Sequence, residues 1–315
     1  TRKKTKFTYK QTSYGFVFLM LLFPILLFLV FYVGGNFYSF LLAFQKTDIY
    51  GNVTWVGFDN FKAFLSKMTD SGDVLSYGFI NSLEFYAINL CISMPLYIVF
   101  SYLIYKKCFL HGTIRAIAMV PQIISGFVVS LLFAHFLGSD GGFAKLCEIF
   151  HWNNDGWFNP LYTKSTAFLT CVFYSIWLSF GTNLIVYPNA MNSISPDIID
   201  SSKIDGVDNI FSDLHYIILP LIFPTIETFL VTGISSIFSA TGPLVDFYFT
   251  GAPEYVYMVG YYYTIPLINP TSNTEMMYPF LSAGGLLMTL VACPLTFGMK
   301  WLCDRFGPNT ETEGR

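Results

Sequence analysis

SISPDIIDSSKIDGVDNIFSDLHYIILPLIFPT, residues 193–225, is a polar stretch set between two long apolar runs. Its first half carries the marks of a short helix. Pro196 followed by Asp197 is a start signal, because proline suits the first helical position and an acid favours the positive end of the helix dipole. Gly206 is a natural stop after two to three turns, since glycine accepts the left-handed conformation that closes many helices. Asp200 and Lys203 stand three apart, which puts them on one face. A helix this short and polar belongs outside the bilayer, so the apolar runs on either side are expected to be membrane spans.

The rest of the chain supports that expectation. Of 315 residues, 54% are hydrophobic and 12% are charged, whereas a soluble domain carries about 25% charged residues. So few charges cannot wrap a water-soluble surface. The 34 phenylalanines and 21 tyrosines suit helices that face lipid and sit at its interfaces. A span needs roughly 20 apolar residues, and six charge-poor runs meet that length: about 14–43, 78–105, 116–138, 166–188, 216–240 and 278–302. The basic start TRKKTKFTYK is followed by a run too long for a cleaved leader, without an A-x-A site, and reads as a retained first span. Residues 241–277 hold six tyrosines, four prolines and no Lys or Arg, and read as an interfacial loop with a re-entrant or short helix. With the amino terminus inside, twelve of the 17 basic residues fall on the cytoplasmic side, which places both termini there. One membrane domain, 1–315, with a cytoplasmic loop at 189–215, is the expected architecture.

The loop of residues 193–225 resembles the EAA loop of binding-protein-dependent ABC importer permeases, whose pattern is roughly I-P-x-x-x-x-E-A-A-x-I-D-G-A followed by L-P-x-x-x-P. The matching residues are Ile194, Pro196, Asp200-Ser201-Ser202, Ile204-Asp205-Gly206-Val207, and Leu219-Pro220 with Pro224. Asp replaces Glu, serines replace both alanines, Pro196 to the acid is one residue shorter, and Gly206 to Pro220 is one longer. WVGFDNFKAFL (55–65), MVPQIISGFVVSLLF (119–133) and WLSFG (177–181) are similar to segments of the carbohydrate permeases, in the same order. The resemblance implies an all-α integral membrane protein with the type I importer permease fold, forming half of the pathway for a sugar or oligosaccharide in the plasma membrane of a prokaryote. It implies coupling to the motor through Asp200, Ser201, Ser202, Lys203, Ile204, Asp205, Gly206 and Val207. The implied partners are a second homologous permease, two ABC ATPase subunits, an extracytoplasmic solute-binding protein and membrane lipid. No cofactor is expected on this chain, because it has no G-x-x-x-x-G-K-[ST] loop, so ATP and Mg belong to the partner ATPases. No nucleic-acid motif or catalytic cluster is present, and Cys91, Cys108, Cys147, Cys171, Cys293 and Cys303 lack metal-ligand spacing.

A sugar path needs hydroxyls, amides and aromatic faces. Trp177, Ser179, Thr182 and Asn183 on the fourth span, and Thr232, Ser235, Ser236 and Ser239 at helical spacing on the fifth, are the candidates. The bland reading of such small residues is close helix packing and bonding to their own backbone. Ionisable groups within spans are costly and therefore candidates too: Glu227 reads equally as a pathway residue or as one end of a hydrogen bond between helices, and Glu84 and His135 read more readily as polar anchors near the outer ends of the second and third spans. Prolines 24, 95, 121, 220, 224 and 294 are expected to interrupt spans. The alternative function is an ion-coupled secondary transporter of a small polar solute, which calls for internal repeats and carboxylate relays.

Overall fold

The computed structural model describes residues 9–48, 50, 52–151, 159–207, 209–270 and 274–308, with the side chains of 9–15 and 275 left aside. Arg2, Lys3, Lys4, Lys6, Arg315 and the side chain of Lys10, which enter the charge reading, lie outside the described residues. The described chain divides into two compact units, residues Thr1–Ser66 with Ser272–Leu287, and Lys67–Thr271 with Met288–Arg315.

In the first unit, helix α1 (Phe16–Leu42) is exposed along its whole apolar length. It passes through a π-helical stretch, Phe28–Val33, four residues beyond Pro24. A hairpin follows that the all-helical reading does not contain: β1 (Gln45–Thr47) pairs antiparallel with β2 (Val53–Trp55), Lys46 opposite Thr54. Three-residue strands are too short to leave an alternating pattern, which is why the sequence hides them. Helix α2 (Asp59–Thr69) locks the hairpin, as Asn60 Nδ2 donates to the carbonyls of Ala43 (2.9 Å) and Gln45 (2.7 Å). Phe44 stacks on Trp55 and meets Phe58 edge-on, and the buried Phe64 packs on Phe280 at 5.3 Å between ring centres.

The second unit holds the remaining helices: α3 (Val74–Tyr105), α4 (His111–Ile123), α5 (Gly126–Phe136), α6 (Gly142–Ile149), α7 (Ala167–Asn192), α8 (Pro196–Ile204), α9 (Ile210–Leu221), α10 (Phe223–Ser235), α11 (Leu244–Tyr248), α12 (Val259–Ile268) and the end of α13 (Thr274–Phe306). Helices α1, α3, α7 and α13 each contain a continuous stretch long and apolar enough to cross a membrane. The pairs α4–α5 and α9–α10 bend by 104° and 68°, and counting each as one gives six crossing segments. The bends fall near prolines. Ile124 and Ser125 adopt extended backbone just after Pro121, and Ile222 leaves helical geometry between Pro220 and Pro224. The helices run on unbroken through Pro24 and Pro294, and also through Pro188. A proline removes one donor, and the bond lost there is too little to stop a long apolar helix.

Helix α7 is the organising element. Small residues let its neighbours approach, as is usual where apolar surroundings leave helices no hydrophobic reason to associate. A Cβ placed on Gly181 would lie 2.6 Å from the Ala118 carbonyl of α4. On its other side Tyr97 and Ser101 of α3 donate to the carbonyls of Ile176 (3.2 Å) and Asn183 (3.3 Å). The start of α3 holds the tyrosine-rich segment, with Asn81 Nδ2 bonding the carbonyls of Tyr255 and Tyr257, and Ser82 Oγ accepting from Val259 N–H. Up to residue 270 that segment is two short helices, α11 and α12, with a single 3-10 turn (Glu254–Val256) between them, in keeping with its proline content.

Candidate functional site

Helix α8 sits where the loop reading puts a short helix, and its ends are fixed by backbone geometry. Pro196 occupies its first turn with Asp197, and Lys203 its last. Gly206 takes φ +93°, a conformation that any side chain would strain. Its N–H reaches the Lys203 carbonyl at 3.2 Å, while Val207 N–H reaches back to Ser202 at 3.0 Å. This pair of bonds is the Schellman closure, and it gives two otherwise orphaned carbonyls their partners. Ser202 is buried and turns its hydroxyl to the Ile199 carbonyl, so this face of the helix lies against the protein. The other face is open: Ile204 is 86% exposed, with Asp200, Ser201, Lys203, Asp205 and Gly206 also exposed. Lys203 Nζ stands 2.8 Å from Asp200 Oδ1, which holds the ammonium above its ordinary lysine range, with Asp213 adding in the same direction.

The chain behind α8 is pinned to the end of α3. Asp213, 7% exposed, receives Lys106 Nζ at 2.7 Å and the Tyr102 hydroxyl at 2.5 Å, both on Oδ2. Lys106 also lies over the rings of Tyr102 and Tyr105, at 5.4 and 5.7 Å, a geometry that attracts a cation. Asp213 opens a π-helical stretch, Asp213–Ile218, directly before Leu219-Pro220.

A cleft of about 230 Å³ opens among α3, α7 and α10. Its polar groups are Ser82, Asn89, Ser179, Asn183 and Ser236, and Tyr86, Tyr97 and Phe229 supply aromatic faces. Among the described residues, no carboxylate, ammonium, guanidinium or imidazole lines it. Asn89 begins a second π-helical stretch, Asn89–Ser93, in the middle of α3, and such bulges recur where helices carry function. Gly233 keeps the wall thin, since a Cβ there would press on the Tyr86 ring at 3.0 Å. A lining that is mostly apolar with a few amides and hydroxyls suits an uncharged polyhydroxy solute.

No protein-family model matches the chain. Protein LplB of Bacillus subtilis is 26% identical over 91% of this chain and 88% of its own length. The galactooligosaccharides transport system permease protein GanP of the same organism is 25% identical over 66% of this chain, which spans about half (53%) of GanP. In the crystal structure of the bacterial alginate ABC transporter, complexed with an alginate pentasaccharide-bound periplasmic protein, one chain superposes with a TM-score of 0.74 at 21% identity, covering 95% of this chain and 97% of that one. The chain is a permease subunit of the ABC-importer type.

Within the permease the sequence-derived pathway residues scatter. Ser179, Asn183 and Ser236 come together in the cleft. Trp177 does not; it faces a separate apolar cavity with Pro121, Phe133 and Phe173. Thr182 is taken up by Gln122, which also bonds the Leu178 carbonyl at 2.7 Å across the α4–α7 contact. Thr232, Ser235 and Ser239 lie outside the cleft lining and donate to their own backbone, at 2.6, 2.8 and 3.2 Å. The expected common face of the four fifth-span hydroxyls fails because α10 ends at Ser235, so helical spacing stops applying halfway along the set. Glu227 pairs with Lys300 (3.0 Å), which also reaches Asp304, and it does not line the cleft. Glu84 and His135 are exposed and do not line it either. Asn89, Tyr86 and Tyr97 were missed, although an amide in an apolar span is a legible cue. Asp213 and Lys106 were missed because they lie in separate loops, more than a hundred residues apart.

Proposed function

We propose that this permease forms half of the translocation pathway of an ATP-driven carbohydrate importer, with α8 as the coupling helix and the α3–α7–α10 cleft as the solute path. The observation that carries the reading is α8 itself: a short helix closed rigidly at its glycine end and offering an exposed, partly apolar face outside the spans. Asp200, Ser201, Lys203, Ile204, Asp205 and Gly206 would seat in a groove of an ABC ATPase, and Ser202 and Val207 would shape the helix from behind. The related proteins that handle galactooligosaccharides and alginate support the carbohydrate assignment. Ser179, Asn183 and Ser236 would bond the hydroxyls of a passing sugar, and Tyr86, Tyr97 and Phe229 would stack on its ring faces.

The distribution of basic residues supports a cytoplasmic side for both termini in the membrane of a prokaryotic cell, which would set α8 on the same side as ATP. The full assembly then comprises a second homologous permease, two ATPase subunits holding ATP and Mg, and an extracytoplasmic binding protein. The decisive experiment purifies the assembly and compares wild type with Asp205→Lys and Gly206→Pro. Both variants are expected to insert normally yet lose uptake and binding-protein-stimulated ATP hydrolysis. Unchanged stimulation in both would remove the coupling role from α8.

A further inference from the structure

The coupling helix must pass its displacement to the walls of the cleft, and one connection stands out for its geometry. We propose that Asp213, Lys106 and Tyr102 form a strut that carries movement of α8 to α3, which makes them positioning residues for transport; this rests on the ATP-driven reading above. Asp213 lies seven residues beyond Gly206, at the foot of α9. Lys106 caps the end of α3, and Tyr102 lies one turn before it. Both partners meet the same carboxylate oxygen, at 2.7 and 2.5 Å. Two bonds converging on one buried atom fix direction as well as distance.

From Tyr105 the helix runs unbroken back to Met94, so Tyr97 in the cleft wall lies about 8 Å from Tyr102 and about 14 Å from Lys106 along a rigid rod. The turn after Lys106 is also held against its preferences, since Lys107 and Leu110 take φ of 54° and 62°. Non-glycine residues stay in that region only where their surroundings determine them. Only the Asp213 side of the ion pair is buried, while Lys106 stays open to solvent, so the pair adds little net stability and what it supplies here is orientation. Lys203, on the coupling helix, feels the Asp213 charge as well, which ties α8 electrostatically to the same point.

The test places spin labels at Asp197 on α8 and Leu103 on α3 in the importer assembled with its ATPase subunits. Distances are measured without nucleotide and with a non-hydrolysable ATP analogue. The wild type is expected to give one narrow distribution, the same in both states. Asp213→Asn is expected to broaden it and make it shift with nucleotide. The apolar pair Lys106→Met with Asp213→Leu should behave like Asp213→Asn while unfolding at nearly the wild-type temperature, and the exchange Lys106→Asp with Asp213→Lys should restore the narrow distribution. Wild-type distributions in Asp213→Asn and the apolar pair would overturn the strut, as would failure of every variant to assemble, which would make the pair a folding element. Co-purification of the wild type with an ATPase is read separately, so loss of the importer reading is distinguishable from loss of the strut.

Discussion

The loop that carries α8 and the cleft lie in the same unit and are built on opposite principles. Around α8 the structure uses strong, directional devices: a left-handed glycine, a doubled backbone closure and a buried carboxylate with two donors. Around the cleft it uses amides, hydroxyls and ring faces, and none of the described lining residues is charged. The difference follows from what each surface would meet. A motor pushes on one fixed geometry, whereas a solute in transit must be held weakly enough to leave.

That contrast can be broken most sharply at Gly206. A β-branched residue forced into the left-handed region costs on the order of 1–2 kcal/mol, so Gly206→Val is expected to unravel the end of α8 and abolish uptake, while cell-surface abundance on immunoblots stays near wild type. The next effect is expected at the packing seam between α4 and α7, on the helix that carries Ser179 and Asn183. Gly181→Ala sets a methyl against the Ala118 carbonyl, and overpacking of this kind costs about 1–3 kcal/mol. Its purified form should melt several degrees lower in detergent, and an unchanged melting curve would mean that α4 and α7 can part freely.

Smaller still is Asn183→Ala in the cleft. One solute hydrogen bond is worth about 1 kcal/mol, so uptake rate at low solute concentration should fall about fivefold with basal ATP hydrolysis untouched. Equal loss in both would merge the two regions functionally. The smallest effect belongs to Lys203→Ala, because the Lys203–Asp200 pair is fully in solvent, where such pairs contribute little. The folded-state pKa of Lys203 is raised, so its pairing is complete below the unfolded value and fades only as pH climbs through the folded one. Melting temperature should therefore be insensitive to this substitution across neutral pH, as followed by a thermal-shift series.

Legibility in the sequence divides along the same line. The loop helix is written locally: Pro196, Asp197 and Gly206 each act through their own backbone, so start, stop and the Asp200–Lys203 face appear in the structure where the residues place them. The spans are legible because length and apolarity are summed over many residues, although each apolar run locates its helix ends only to within a few residues. The cleft is different. Which of Trp177, Ser179, Thr182 and Asn183 faces the space depends on rotation against neighbours, and Gln122 on another helix claims Thr182. The hydroxyls beyond Ser235 depend on where α10 stops, which no single residue announces.

The π-helical stretch at Asp213–Ile218 has a consequence for how this loop tolerates change. An additional residue in a helix rotates everything after it by about 100°, which would swing Pro220, Pro224 and the ring of Phe229 away from their stations. A wider turn houses one more residue than the ordinary kind. One residue more between Gly206 and Pro220 would thus be taken up in a single loop of backbone, and the downstream helix would keep its bearing despite a longer tether.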